Sequence, residues 1–133
     1  MKKVAFLCVH NSCRSQMAEA LAKKEASDVF EAYSAGTKLK DHINPDAVKI
    51  MKKLYGIDME QTQKPKLLGD IPNVDIIITM GCNVECPHIP GVYTEDWGLE
   101  DPTGKDVNAF QQTATTIEEK VKDLKRRIQN GER

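Results

Sequence analysis

The stretch Cys8-Val9-His10-Asn11-Ser12-Cys13-Arg14-Ser15 constrains this chain more than any other. An apolar segment of strand length, Val4-Ala5-Phe6-Leu7, runs into it, and a helical pattern, Met17, Ala18, Leu21 and Ala22, follows. A strand must therefore hand over to a helix across a loop that starts with Cys and ends with Arg. Such a loop can aim successive backbone N–H groups at a tetrahedral oxyanion, and the emerging helix adds the positive end of its dipole. Arg14 offers a planar fork to two oxyanion oxygens. Cys8, at the bottom of this positive bowl, is expected to lose its proton readily and act as a nucleophile. Val9, His10, Asn11, Ser12, Cys13 and Ser15 complete the expected substrate-binding loop. It contains no glycine, so it is not a Gly-rich nucleotide loop, and Asn11 is its best candidate for a left-handed turn. A buried strand-end cysteine and a solvated arginine would satisfy a bare Cys-x5-Arg match. The strand before, the helix after, Asn11 in mid-loop and Ser15 favour the oxyanion site.

A chain of 133 residues is one ordinary domain, 1–133, able to bury one substantial core. Its net charge of −1 advertises no nucleic-acid or membrane surface. Lys2 and Lys3 precede an apolar run too short for a signal peptide, so a cytoplasmic location is expected. Four cysteines in such a setting are read as catalytic, redox-active or metal-binding rather than as structural staples.

Along the chain, a strand over about 3–8 leads into a helix over about 15–26. Residues 29–34 alternate and form a second strand, closed by Gly36. Asn44 and Pro45 start a helix whose buried stripe is Ala47, Val48, Met51 and Leu54, and Gly56 stops it. Residues 59–73 allow at most one short helix. Val74 to Met80 is a nearly continuous apolar run, the pattern of a central parallel strand. Gly91-Val92-Tyr93 is a candidate fourth strand. Phe110, Ile117, Val121, Leu124 and Ile128 define a long amphipathic helix, whose charged residues form a solvated face. Strands alternating with helices predict a three-layer α/β/α domain with a parallel sheet. Right-handed crossovers then put the first loop at the sheet's carboxyl edge, where such folds bind ligands.

Met80-Gly81-Cys82-Asn83-Val84-Glu85-Cys86-Pro87 follows the central strand, and hence lies at the same edge as Cys8. Cys82 and Cys86 are open to three readings: half of a metal site, inert thiols, or a redox pair. No Cys/His cluster of suitable spacing accompanies them, so no metal is expected, and His42 and His88 are isolated. Thiolate exchange needs only a second thiol within reach of the first, which favours the redox pair. On an intact helix, residues four apart hold their Cβ atoms about 5–6 Å apart, beyond the ~3.8 Å of a disulfide. Any helix carrying both must therefore open for them to pair. Asp101, before Pro102, is a candidate general acid for a leaving oxygen, with a turn-forming aspartate as the alternative. Cys13 reads as a packed loop thiol and His10 as a rim residue.

Cys8-x-x-Asn-Ser-Cys-Arg-Ser-Gln-Met-Ala-Glu19 resembles the opening of thioredoxin-coupled arsenate reductases, which share the low-molecular-weight tyrosine phosphatase fold. The resemblance continues through Tyr33-Ser34-Ala35-Gly36, Asn44-Pro45-Asp46-Ala47-Val48, Gly56-Ile57-Asp58, Gln61-Thr62, Cys86-Pro87 and Trp97-Gly98-Leu99-Glu100-Asp101-Pro102. It implies a four-stranded parallel sheet in the order 2-1-3-4. It also implies a relay in which Cys8 attacks arsenate, Cys82 attacks Cys8 to release arsenite, and Cys86 attacks Cys82. The Cys82–Cys86 disulfide would then be reduced by thioredoxin. Asp101 takes the general-acid role, and a monomer with no cofactor is expected. Members often carry more residues between the resolving cysteines than Asn83-Val84-Glu85. The alternative activity is that of a low-molecular-weight protein tyrosine phosphatase, using Cys8, Arg14 and Asp101 without Cys82 or Cys86. Such phosphatases place aromatics after Asp-Pro, where this chain has Thr103-Gly104. A third alternative is an oxyanion sensor without turnover. Some members hold potassium beneath the loop through positions matching Asn11, Glu19 and Ser34 plus an aspartate. Here the aspartate position is expected to be Lys64: pointing inward, its ammonium would substitute for the ion, and pointing outward it would leave a site short of one carboxylate that binds the ion weakly.

Overall fold

The structure, a computed structural model, describes residues 1–38, 40–81 and 90–131. Its strands are β1 (Lys2–Leu7), β2 (Phe30–Ala35), β3 (Ile76–Thr79) and β4 (Tyr93–Asp96). Its helices are α1 (Arg14–Glu25), α2 (Pro45–Tyr55), the single turn α3 (Met59–Thr62) and α4 (Val107–Gln129), with a 3₁₀ turn at Leu68–Asp70. All strand pairs are parallel and the order is β2-β1-β3-β4, as expected.

The two central strands are buried on both faces, which is why they read as continuous apolar runs. Val4, Phe6, Ile76 and Ile78 face the larger core with Met17, Leu21, Met51, Phe110, Ile117, Val121 and Leu124 from α1, α2 and α4. Ala5, Leu7, Ala35 and Ile77 face the other way, under Leu68, Ile71, Val74 and Val92. The layers are thus unequal: three helices cover one face, while loop and a 3₁₀ turn cover the other among the described residues. Helix α1 is buried along most of its length, from Arg14 to Ala22, because sheet, α4 and the chain around residue 63 enclose it. That enclosure sinks the polar Gln16 and Glu19, which matters for the site.

Asn44 caps α2 by accepting from the Asp46 N–H at 2.8 Å, with Pro45 in the first turn, and the helix stops at Gly56. Asp106 caps α4 through the Ala109 N–H. Residues 59–73 hold one more turn than expected. The fourth strand lies downstream of its expected position because Thr94, Glu95 and Asp96 form an edge strand with one wet face, which tolerates polar residues. Arg127 fixes that strand to α4 with two parallel hydrogen bonds to Glu95, at 2.8 and 2.9 Å. Glu95 also accepts from Trp97 Nε1 at 2.7 Å.

Candidate active site

The sheet register places Ala35, Leu7, Thr79 and Asp96, the last residues of the four strands, in one row. The loops that follow them therefore meet at one edge. Gly36 makes the closest of these meetings possible: a Cβ there would lie 2.6 Å from the Val9 carbonyl oxygen. Thr37 and Lys38 both donate backbone N–H bonds to that oxygen, and Asn44 donates to the Ser12 carbonyl. The loop after β2 is thus tied to the loop after β1 at both ends.

Asn11 takes the left-handed turn expected of it, with φ of 50°. Its side chain holds the turn in place. Nδ2 donates to Ser15 Oγ at 2.8 Å, while Oδ1 accepts from the Lys66 N–H at 2.8 Å and from Gln16 Nε2 at 3.0 Å. Gln63 Nε2 donates in turn to Gln16 Oε1 at 2.7 Å. Both glutamines are buried, so the floor beneath the loop is a closed polar network. Above the floor, none of the N–H groups of His10, Asn11, Ser12 and Cys13 donates to a protein acceptor among the described residues. Cys13 starts α1 without capping it through its side chain. The concave face of the loop is therefore lined by backbone donors and a helix N-terminus, an arrangement that binds anions.

Cys8, Val9, His10, Ser12, Cys13, Arg14, Lys40, Asp101 and Thr103 line a cavity of about 200 Å³. A larger cavity, about 400 Å³, lies between α2 and the start of α4, but it is mostly apolar and holds no nucleophile. The Arg14 side chain is buried, and Nη1 donates to the Met80 carbonyl at 2.6 Å and to the Leu99 carbonyl at 2.7 Å. Gly81 allows those carbonyls to converge, since a Cβ there would sit 2.7 Å from the Leu99 oxygen. With Nη1 so engaged, Nε has no partner among the described residues and Nη2 lies 3.9 Å from Asp101 Oδ2. The free edge of the guanidinium is the fork that an oxyanion requires.

Burial pushes the Cys8 thiol above its ordinary pKa; Arg14 and the Val9 N–H pull it down, and the Asp101 carboxylate adds to the upward push. The direction is opposite to that expected for Cys8, because desolvation and the nearby carboxylate outweigh the guanidinium. Burial also pushes Asp101 up, but hydrogen bonds from Thr103 and the charges of Arg14 and Lys40 bring it below the usual carboxylate range. Thr103 donates to Asp101 Oδ1 through its N–H at 3.0 Å and its hydroxyl at 2.7 Å. The cavity thus favours a protonated thiol beside an ionised carboxylate. Cys13 is pushed up to about 12, mainly by burial, which suits a packed thiol. His10 lies at the rim, its Nδ1 2.8 Å from the Lys38 carbonyl oxygen.

All the expected loop residues, Arg14 and Asp101 meet at this edge. Cys82 and Cys86 lie outside the described residues. Sequence reasoning missed Lys40, Thr103, Gln16 and Gln63; only the position of Thr103 two residues after Asp101 was a usable signal, as a hydrogen-bonded turn.

Of the two directions expected for Lys64, the structure has the outward one. Its neighbour Gln63 turns inward to Gln16, so the extended backbone points the Lys64 side chain to solvent and its carbonyl inward. Lys66 supplies the ammonium instead. Its Nζ lies 3.3 Å from Glu19 Oε1 and 3.1 Å from the Lys64 carbonyl oxygen. Ser34 Oγ also donates to Glu19, whose side chain is 5% exposed and is surrounded by these donors and Lys23. A resident potassium ion does not fit a position where an ammonium already binds the carboxylate.

A parallel sheet with a Cys-to-Arg anion loop at its carboxyl edge defines the class. Residues 3–133 match the family described as low molecular weight phosphotyrosine protein phosphatase, and the chain belongs to that family. Within it, the chain is 37% identical over 132 residues to arsenate reductase 1 of Staphylococcus epidermidis, covering 96% of this chain and 98% of that protein. A solved arsenate reductase in its phosphate-binding state superposes with a TM-score of 0.84 at 34% identity, covering 96% of this chain and 99% of the other. The thioredoxin-dependent arsenate reductase of Corynebacterium glutamicum gives 0.79 at 35% identity, covering 98% of this chain and 63% of that one.

Proposed function

We propose that this protein reduces arsenate to arsenite, with Cys8 as nucleophile, Asp101 as proton carrier and Cys82 and Cys86 as resolving thiols, and that thioredoxin regenerates it. The observation that carries this reading is the Arg14 guanidinium, pinned by two carbonyls with its free edge in the same cavity as Cys8 and Asp101. The near-full-length likeness to arsenate reductases supports arsenate as the substrate.

The protonation states suggest the order of events. The loop N–H groups and Arg14 hold the arsenate oxygens. The Cys8 proton passes to Asp101 as the sulfur attacks arsenic, and Asp101 then gives it to the departing oxygen, which leaves as water. One proton therefore serves both halves of the condensation. Cys82 next attacks the Cys8 sulfur, forming a Cys8–Cys82 disulfide. The As–S bond breaks, its electron pair stays on arsenic, and arsenic falls from the +5 to the +3 state. Cys86 then displaces Cys8, and thioredoxin reduces the Cys82–Cys86 disulfide. The protein acts as a cytoplasmic monomer of one domain and needs no resident cofactor. Among the described residues, no helix is long and apolar enough to cross a membrane.

Arsenate-dependent NADPH oxidation in the presence of thioredoxin and thioredoxin reductase tests the reading, run beside hydrolysis of p-nitrophenyl phosphate. Robust oxidation with weak hydrolysis is expected. Hydrolysis without arsenate-dependent oxidation would make the protein a phosphatase.

A further inference from the structure

The cavity at Cys8 does not close at its rim. Across Ser12 and Lys40, which line both, it adjoins a second cavity of about 440 Å³ bordered by Asp41, His42, Asn44 and Pro45. Lys40 stands at the junction. The backbone on either side of it is tied to the anion loop, through Thr37 and Lys38 to Val9 and through Asn44 to Ser12. The His10 ring adds a contact to the Lys38 carbonyl. Its position at the mouth is therefore built into the loop's anchoring.

The charges lining the inner cavity make this position consequential. Arg14 and Asp101 offset one another, and Lys40 is the remaining full charge. Among the described residues Lys40 makes no hydrogen bond or ion pair. Without it, a bound oxyanion would meet a neutral side-chain set and the partial charges of the loop N–H groups. With it, the site carries one net positive charge. A dianion gains from that more than a monoanion of the same shape, because Coulomb energy scales with the product of charges. A free ammonium at a cavity mouth also raises the local concentration of anions that enter.

We propose that Lys40 is a substrate-binding residue that sets the preference of this bowl for dianionic over monoanionic tetrahedral oxyanions. The inference rests on the anion-bowl reading of the site and extends it to the ionic form of the substrate. Asp41, at the outer cavity, is the opposing charge on the approach.

Sulfate and perchlorate test this without turnover. Both are tetrahedral, and their charges do not change near neutral pH. Calorimetric titration at fixed ionic strength would compare the wild-type chain with Lys40→Gln, Lys40→Arg and Lys2→Gln, the last removing one charge from the far end of β1. Lys40→Gln is expected to weaken sulfate by about three- to fivefold, the range for an exposed charge pair, and perchlorate by under about twofold. Lys40→Arg should keep the wild-type ratio, and Lys2→Gln should leave both ions alone. Unchanged sulfate binding in Lys40→Gln, or equal weakening of both ions, would overturn the proposal. Absence of arsenate turnover in the wild type would instead count against the reductase reading and leave the sulfate comparison standing.

Discussion

The floor and the rim of the anion loop are built in opposite ways. Beneath the loop, Asn11, Gln16, Gln63 and Glu19 are buried and hydrogen-bonded to one another or to Lys66 and Ser34. At the rim, Asp101 has a half-exposed side chain, and Lys40 is exposed. Interior polar groups are costly when left unpaired, so the floor acts as a rigid template that holds Asn11 in its left-handed turn. Exposed charges contribute little to stability but act on whatever enters the cavity. Floor substitutions should therefore appear first in stability, and rim substitutions in chemistry or affinity.

The nucleophile lies between the two, and its loss is the largest expected effect. Cys8→Ser should abolish arsenate reduction and ester hydrolysis alike, since a hydroxyl there is a far poorer nucleophile. Full activity in either assay would move the nucleophile elsewhere.

At the rim, Asp101→Asn should slow formation of the Cys8 adduct by about 10²–10⁴-fold with little change in melting temperature. The same variant removes a negative charge that raises the Cys8 pKa. The pH midpoint for alkylation of Cys8, followed by peptide mass, should therefore move down. An upward or absent shift would separate Asp101 from the thiol. Cys13, held at about 12, should stay unlabelled at pH 8.

At the floor, Lys66→Ala should lower the melting temperature by about 4–8 °C, because the buried Glu19 carboxylate loses a donor. The variant leaves the Glu19 carboxylate and the Lys64 carbonyl oxygen, the two groups that Lys66 Nζ contacts, facing the vacated position. It should then gain a potassium-specific rise in melting temperature that the wild type lacks, measured against sodium at equal ionic strength. A potassium response in the wild type, or none in the variant, would break this account of the floor. Lys64→Ala, with its side chain in solvent, should shift stability by less than about 0.5 kcal/mol.

The fold was legible where periodicity and punctuation agreed. The central strands announced themselves as apolar runs, Asn44-Pro45 and Gly56 bounded α2, and the anion loop was readable from Cys8, Asn11 and Arg14 together. β4 was placed too early because an edge strand with one wet face looks like loop. The floor was illegible because it joins α1 to residues 63–66 through amide side chains and backbone carbonyls, which leave no pattern in a sequence. That is why the sequence leaves the direction of Lys64 open and does not point to Lys66: counting along the chain gives position but not direction, and an extended backbone reverses direction at each residue. The thiol's raised pKa was also hidden, since burial and the approach of Asp101 are tertiary facts.

The relay from Cys8 to Cys82 is the claim on which the functional account stands. Purified Cys86→Ser protein, reduced and then mixed with arsenate without a reductant, tests it most directly. Quenched samples would be assayed for arsenite and mapped for disulfides by mass spectrometry. The account predicts about one arsenite per chain and a Cys8–Cys82 disulfide, since the second thiol of the exchange remains and the third is gone. No arsenite, or arsenite accompanied by a Cys8–Cys13 disulfide, would contradict it.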